Sequence, residues 1–185
     1  MRRNLMIKQS LLRLVLGVLI FYTMYIVLSL IGNGFLLFLK STDLSNIRVD
    51  CAAINNKIDK LNLKKYTESD RYSGDYKYLF DEICIDVDED NVITSMHSRF
   101  DEDKTQISIN DVSNLNTIDE VENILGENYY DSIYDSEQLL YSYVYYDRGN
   151  NIIAEFVYFN FDELSENNRL LTWINIYKVR KTHLF

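Results

Sequence analysis

The chain contains no proline, and its 185 residues include only two cysteines, two histidines and one tryptophan. Without proline, turns fall to Gly, Asn and Asp. Two histidines, His97 and His183, exclude a His-rich metal centre and leave no Ser-His-Asp set. Cys51 and Cys84 lie too far apart for a Cys-x-x-Cys motif. No acidic residue precedes Asp43, and no Asn-x-Ser/Thr sequence occurs anywhere. The missing glycosylation acceptor, beside richness in Asn, Ile, Lys and Tyr, points to a bacterial protein.

Charge is also missing from Leu14 to Leu39, a run of 26 uncharged residues preceded by Arg2, Arg3, Lys8 and Arg13. As a helix it would reach roughly 39 Å, more than the ~30 Å hydrocarbon core of a bilayer. It therefore predicts a single-pass transmembrane anchor over residues 14–39. The run is longer than the ~7–15 residue apolar region of a cleaved signal peptide, and no small-x-small cleavage site follows it. The excess of basic residues before it places residues 1–13 as a cytoplasmic tail, and everything from about Lys40 outside the cell membrane.

Beyond Lys40 the balance reverses, with 14 Lys/Arg against 28 Asp/Glu, a net −14. Such a surface disfavours nucleic acid and anionic lipid as partners. It also keeps a domain soluble. Fifteen tyrosines suit strands and exposed binding faces alike.

The extracytoplasmic part reads as two halves behind a spacer over residues 40–50. In the first, residues 51–100, Ile54, Ile58 and Leu61 recur at helical spacing, and Tyr76–Phe80, Glu82–Asp88 and Val92–Phe100 carry strand-type residues. Residues 101–113 read as a linker. In the second, residues 114–185, Thr117 and Glu120 form a capping box, Ile118, Val121 and Leu125 line one helix face, and Gly126 marks the stop. A loop through Ser136 leads to strands near Gln138–Tyr146, Asn151–Phe159 and Leu170–Lys178. Asp147-Arg148-Gly149-Asn150 supplies a hairpin turn. The predicted fold is α+β: an N-terminal transmembrane helix, then helices packed on antiparallel sheet in two tandem α-βββ units.

The helix Thr117-Ile-Asp-Glu-Val-Glu-Asn-Ile-Leu-Gly126, followed by a loop and Tyr-rich strands, resembles the β-lactamase-inhibitor-protein and SmpA/OmlA-like superfamily. The resemblance covers about Thr117 to Lys178. The first half has Leu61-Asn62-Leu63 where the motif would end in Leu-Gly. The resemblance implies a small extracytoplasmic module that works through protein–protein interaction.

Chemistry-bearing patterns are sparse. Asp86-Val-Asp88-Glu-Asp90 has the spacing of a calcium loop. Asn91 stands where the loop needs Gly, however, and His97 where it needs the closing Glu, so a β-turn at Asp88–Asn91 is expected. Cys51 and Cys84 are open to either a disulfide or two free thiols. A Cys84–His97 nucleophile pair lacks an orienting group in the sequence. No catalytic residue, metal ligand or cofactor motif is assigned.

The stronger lead is aromatic. On the strand after Leu139, Tyr141, Tyr143 and Tyr145 share one face, with Leu140 and Val144 on the other; in the last strand Trp173 and Tyr177 alternate against Ile174 and Ile176. If Leu140, Val144, Ile174 and Ile176 pack on the helix, then Tyr141, Tyr143, Tyr145, Trp173 and Tyr177 form an exposed binding face. The alternative is that both faces are covered, by the other half or by the loop carrying Tyr129, Tyr130 and Tyr134. The functional expectation is a membrane-anchored, non-catalytic module binding a protein or peptide partner. A ligand-sensing domain would instead need a deep pocket, and a cell-surface hydrolase converging carboxylates in a cleft.

Overall fold

The computed structural model describes residues 15–24, 39–69, 76–100, 105–160 and 169–179, divided between two compact units, Met1–Phe38 and Leu39–Phe185. In the first unit residues 15–24 are helical. Among the described residues no helix is long and apolar enough to cross a membrane. This corrects the predicted anchor over 14–39, and with it the single-pass cell-membrane location and the inside–outside orientation that depended on it. Residues 1–14 and 25–38 lie outside the described set.

The second unit is mostly β, which corrects the expectation of helices layered on a sheet in two α-βββ repeats. A small antiparallel sheet has the order β1-β5-β6, from Ile47–Val49, Ile107–Ile109 and Val112–Ser113. A seven-stranded antiparallel sheet has the order β2-β3-β4-β10-β9-β8-β7. Its strands are β2 Tyr78–Leu79, β3 Ile83–Val87, β4 Ile93–Arg99, β7 Tyr130–Asp135, β8 Leu140–Asp147, β9 Ile152–Asn160 and β10 Arg169–Lys178. Strands β3, β4, β8, β9 and β10 lie within a residue or two of where alternation puts them. Part of the expected linker, residues 107–113, is the β5–β6 hairpin, turned by Asn110 and Asp111 at positive φ.

The helix expected around Ile54–Leu61 does not form. Asn55 adopts φ +70°, and the backbone from 55 to 58 pairs instead with the β3–β4 connection: Asn55 N–H to Ile93 O, Ile93 N–H to Asn56 O and Ile58 N–H to Asn91 O. A 3-10 turn, Ile58–Lys60, is all that remains of the helical period. Helix α1, Ile118–Leu125, keeps its capping box: Thr117 accepts from Glu120 N–H, and the Glu120 carboxylate accepts from Thr117 N–H.

The core lies on one face of the large sheet, here called the inner face. Cross-strand rows run Ile85–Met96–Ile176–Ala154–Tyr145 and Ile83–Ser98–Ile174–Phe156–Tyr143. They join one cluster with Ile118, Val121 and Leu125 of α1 and with Ile47, Val49, Ile107 and Ile109 of the small sheet. The lead-in to β1 is tied down at the β8–β9 hairpin, where buried Asp147 accepts from Leu44 N–H and from Asn150 N–H and Nδ2.

Tyr145 is fully buried, and its hydroxyl donates to Gly126 O at 3.1 Å, locking the end of α1 to β8. Tyr145→Phe strands that carbonyl and is expected to cost about 1 kcal/mol. Phe156→Ala, which empties the neighbouring row against the Tyr145 ring, is expected to cost about 3–5 kcal/mol. Urea unfolding followed by the fluorescence of Trp173 measures both.

Candidate functional site

The opposite, outer face of the large sheet carries polar groups in register. Cys84, His97, Asn175 and Glu155 face one another across β3, β4, β10 and β9. His97 Nδ1 lies 2.6 Å from Asn175 Oδ1, and Asn175 Nδ2 donates to Glu155 Oε2 at 2.8 Å. Since Oδ1 only accepts, the imidazole donates from Nδ1 and leaves Nε2 as an acceptor. Burial holds the His97 pKa below its ordinary value; Asn175 opposes that shift, and the positive charge of Arg99 adds to it.

The structure thus supplies the orienting group that the sequence does not reveal, yet the thiol beside it is not activated. Cys84 is 3% exposed, its Sγ contacts Phe80 O at 3.9 Å, and burial pushes its pKa up despite the opposing pull of Arg99. A nucleophilic cysteine needs a depressed pKa and a thiolate. Here a neutral thiol and a neutral imidazole sit side by side.

The five aromatic residues read as one face are divided between two. Tyr143 and Tyr145 are buried on the inner face, where Tyr129 stacks on Tyr143 with ring centroids 3.7 Å apart. Burial raises both phenols well above the ordinary tyrosine pKa. Arg169 Nη1 donates to Tyr143 OH at 2.7 Å, and Arg169 also pairs with Asp119 of α1. Tyr141 is half-buried beside Tyr158. Trp173 and Tyr177 lie on the outer face. Trp173 is half-buried, with Tyr134 edge-on at 5.5 Å and His97 at 6.1 Å. Tyr177 is exposed. Leu140 and Val144 fill the outer face with Val157, Tyr146 and Ile153, and do not join the core against α1.

Residues 130–135, read from sequence as loop, form edge strand β7, and this is where apolar side chains meet solvent. Ile133 is 65% exposed and Tyr134 46%, with exposed Leu139 in the turn that follows. The missed signal is the alternation of Tyr130, Ser132 and Tyr134. Its strand character is broken by a bulge between Ile133 and Asp135, which turns Asp135 to the outer face while Asp131 stays on the inner.

The remaining candidates resolve as local structure. Asp88 accepts from Asp90 and Val92 N–H, and Asn91 takes φ +57°, which makes the acidic loop a tight turn. Cys51 and Cys84 are free thiols, one exposed and one buried, so the possible disulfide is not formed. An open groove of about 360 Å³ runs along the small sheet past Arg48, Cys51, Gln106, Ser108, Asp111 and Ser113. Among the described residues no group of three or more His, Cys, Asp or Glu converges as a metal site. Comparison with protein-family models, with curated proteins and with solved structures finds no match for this chain.

Two outcomes are expected. A thiol reagent modifies one cysteine promptly, a phase that Cys51→Ser removes, while Cys84 reacts only on unfolding. The second concerns pH. The unfolded imidazole takes up its proton near pH 6.5, and the buried one at lower pH. Unfolded chains therefore bind more protons in that interval, and stability falls as pH drops below about 6.5 towards the folded value. Urea titrations from pH 7.5 to 5 should show that fall in the wild type and a smaller one in His97→Gln.

Proposed function

We propose that this chain is a non-catalytic protein-interaction module whose contact surface is β7 and the sheet corner beside it. The observation that carries the proposal is where the apolar exposure falls. Among the described residues from 39 onward, the exposed large hydrophobic residues are Val112, Tyr130, Ile133, Tyr134, Leu139, Leu170 and Tyr177. Three are on β7, and Leu139 leads into β8. Leu170 lies in the row Leu170–Phe159–Leu140–Asp135 that ends on β7. Aromatic and aliphatic exposure gathered at one strand marks contact surfaces, and Tyr and Trp supply area at low conformational cost. The strong negative charge argues for a protein or peptide partner over nucleic acid. The superfamily resemblance of the Thr117–Gly126 segment supports the same reading, since that superfamily works by binding.

Chemical crosslinking in intact cells, with purification and mass spectrometry of the joined species, tests the proposal. One dominant protein partner is expected, and Ile133→Ser with Tyr134→Ala should lose it. Both positions are exposed, so each substitution is expected to change stability by no more than about 0.5 kcal/mol. Absence of a specific partner, or one that the double variant retains, overturns the assignment of the surface.

A further inference from the structure

We infer that β7 receives an extended segment of a partner protein as an added strand, and that this segment carries lysine or arginine side chains against Asp131 and Asp135. The inference rests on the protein-interaction reading and specifies its mode and partner chemistry.

The two ends of the large sheet differ. Strand β2 is two residues long, and its outer edge is already covered: Glu68 bridges Phe80, Ser69 N–H donates to Leu79 O, and Asp81 N–H donates to Thr67 O. Strand β7 is six residues long and ends the sheet, with no described strand beyond it. An edge of that length is a template for pairing unless it is blunted by lysine, proline, cover, a bulge or inward charge. The β7 bulge falls at its far end, between Ile133 and Asp135, so Tyr130–Ile133 keeps regular pairing. The inward charge is the Asp131 carboxylate that a basic strand would neutralise. Strand β7 has neither Lys nor Pro, and exposes Ile133 and Tyr134. Its backbone is suited to strand addition, with apolar side chains for the added strand to cover.

Charge decides the occupant. The only charged residues on β7 are Asp131 and Asp135, and among the described residues neither has an ion-pair partner. Asp135 accepts from Glu137 and Gln138, and Asp131 sits beside the tyrosines of the inner face. A second copy of this chain would add two more carboxylates and no cation to the same ribbon, and like charges across strands destabilise pairing. A basic strand neutralises one carboxylate on each face of the extended sheet. Partial burial already raises the Asp131 pKa, so this carboxylate gains from a nearby cation.

The probe is a fluorescent ten-residue peptide of alternating Lys and Val, titrated into the full chain by anisotropy. Three further peptides accompany it: one with Glu for Lys, one N-methylated at alternate residues with its charge unchanged, and one scrambled into a Lys block and a Val block. The Lys-Val peptide is expected to bind, to weaken with salt, and to slow hydrogen exchange in β7. Asp131→Asn and Asp135→Asn should each weaken it about fivefold. Binding should also fall on acidification, starting above the usual ~3.9 of aspartate because the Asp131 pKa is raised. The N-methylated peptide should lose binding at least tenfold. Equal binding by the N-methylated peptide or the scrambled one overturns strand addition. Equal binding by the Glu peptide, or no effect of the Asp→Asn changes, overturns the basic partner. A dimer that Ile133→Ser dissociates overturns it in favour of self-pairing. If these fail while crosslinking still yields a partner that depends on β7, the mode is wrong and the interaction reading stands.

Discussion

Strands β4 and β10 make the seam on which the architecture depends. Their register, from Trp173 opposite Arg99 to Tyr177 opposite Ser95, joins a three-stranded meander from the first half of the unit to a four-stranded one from the second. Apart, each would be a small sheet with an exposed seam edge and an incomplete core. Together they bury Met96, Ile174 and Ile176 in one apolar layer, and they align the outer-face polar groups. The seam closes a loop of nearly eighty residues, so its loop-closure entropy must be met by long-range burial rather than by local propensity. That is consistent with how little isolated helix the unit holds.

Tyrosine is the residue that made the sheet's faces hard to read. Alternation identifies β8 as a strand, but it assigns faces only where one side is polar. In β8 both sides are apolar: Tyr143 and Tyr145 on one, Leu140, Val144 and Tyr146 on the other, all buried. A phenol can go inside whenever its hydroxyl finds a partner. Here Gly126 O and Arg169 provide partners, and both come from segments remote in sequence. The capped helix at Thr117–Leu125 was legible because its signals are local. The helix around Ile54–Leu61 was not, because the β3–β4 turn competes for the same backbone groups, and two adjacent asparagines give the helix little propensity with which to resist. The candidate site was the least legible part, since a bulge at Ile133–Asp135 breaks the period that would have revealed β7.

The outer-face row from Cys84 to Glu155 shows how residues that suggest catalysis can be held for structure. Each strand contributes one polar side chain at the same level, and the hydrogen bonds cross the seam itself: His97 belongs to β4, Asn175 to β10 and Glu155 to β9. A half-buried hydrogen-bonded row of this kind favours one register, because a one-residue slip would separate His97 from Asn175 and Asn175 from Glu155. The depressed His97 pKa and the raised Cys84 pKa share their largest cause, desolvation, and it acts against the ion pair that thiol chemistry requires.

Not every polar group on this face is satisfied. Ser142 Oγ and Trp173 Nε1 are buried without a hydrogen-bond partner, in the row Trp173–Val157–Ser142 beside Tyr134. Such groups carry a desolvation cost of about 1–3 kcal/mol each. They lie on the outer face beside Tyr134, in a row from central β10 to β8, whereas in the neighbouring row His97, Asn175 and Glu155 are joined by hydrogen bonds. Among the described residues the two ends of the sheet differ, β2 being covered by the backbone of residues 67–69 while no described strand lies beyond β7. Burying Ser142 Oγ and Trp173 Nε1 without partners is a cost that the apolar rows of the inner face must offset.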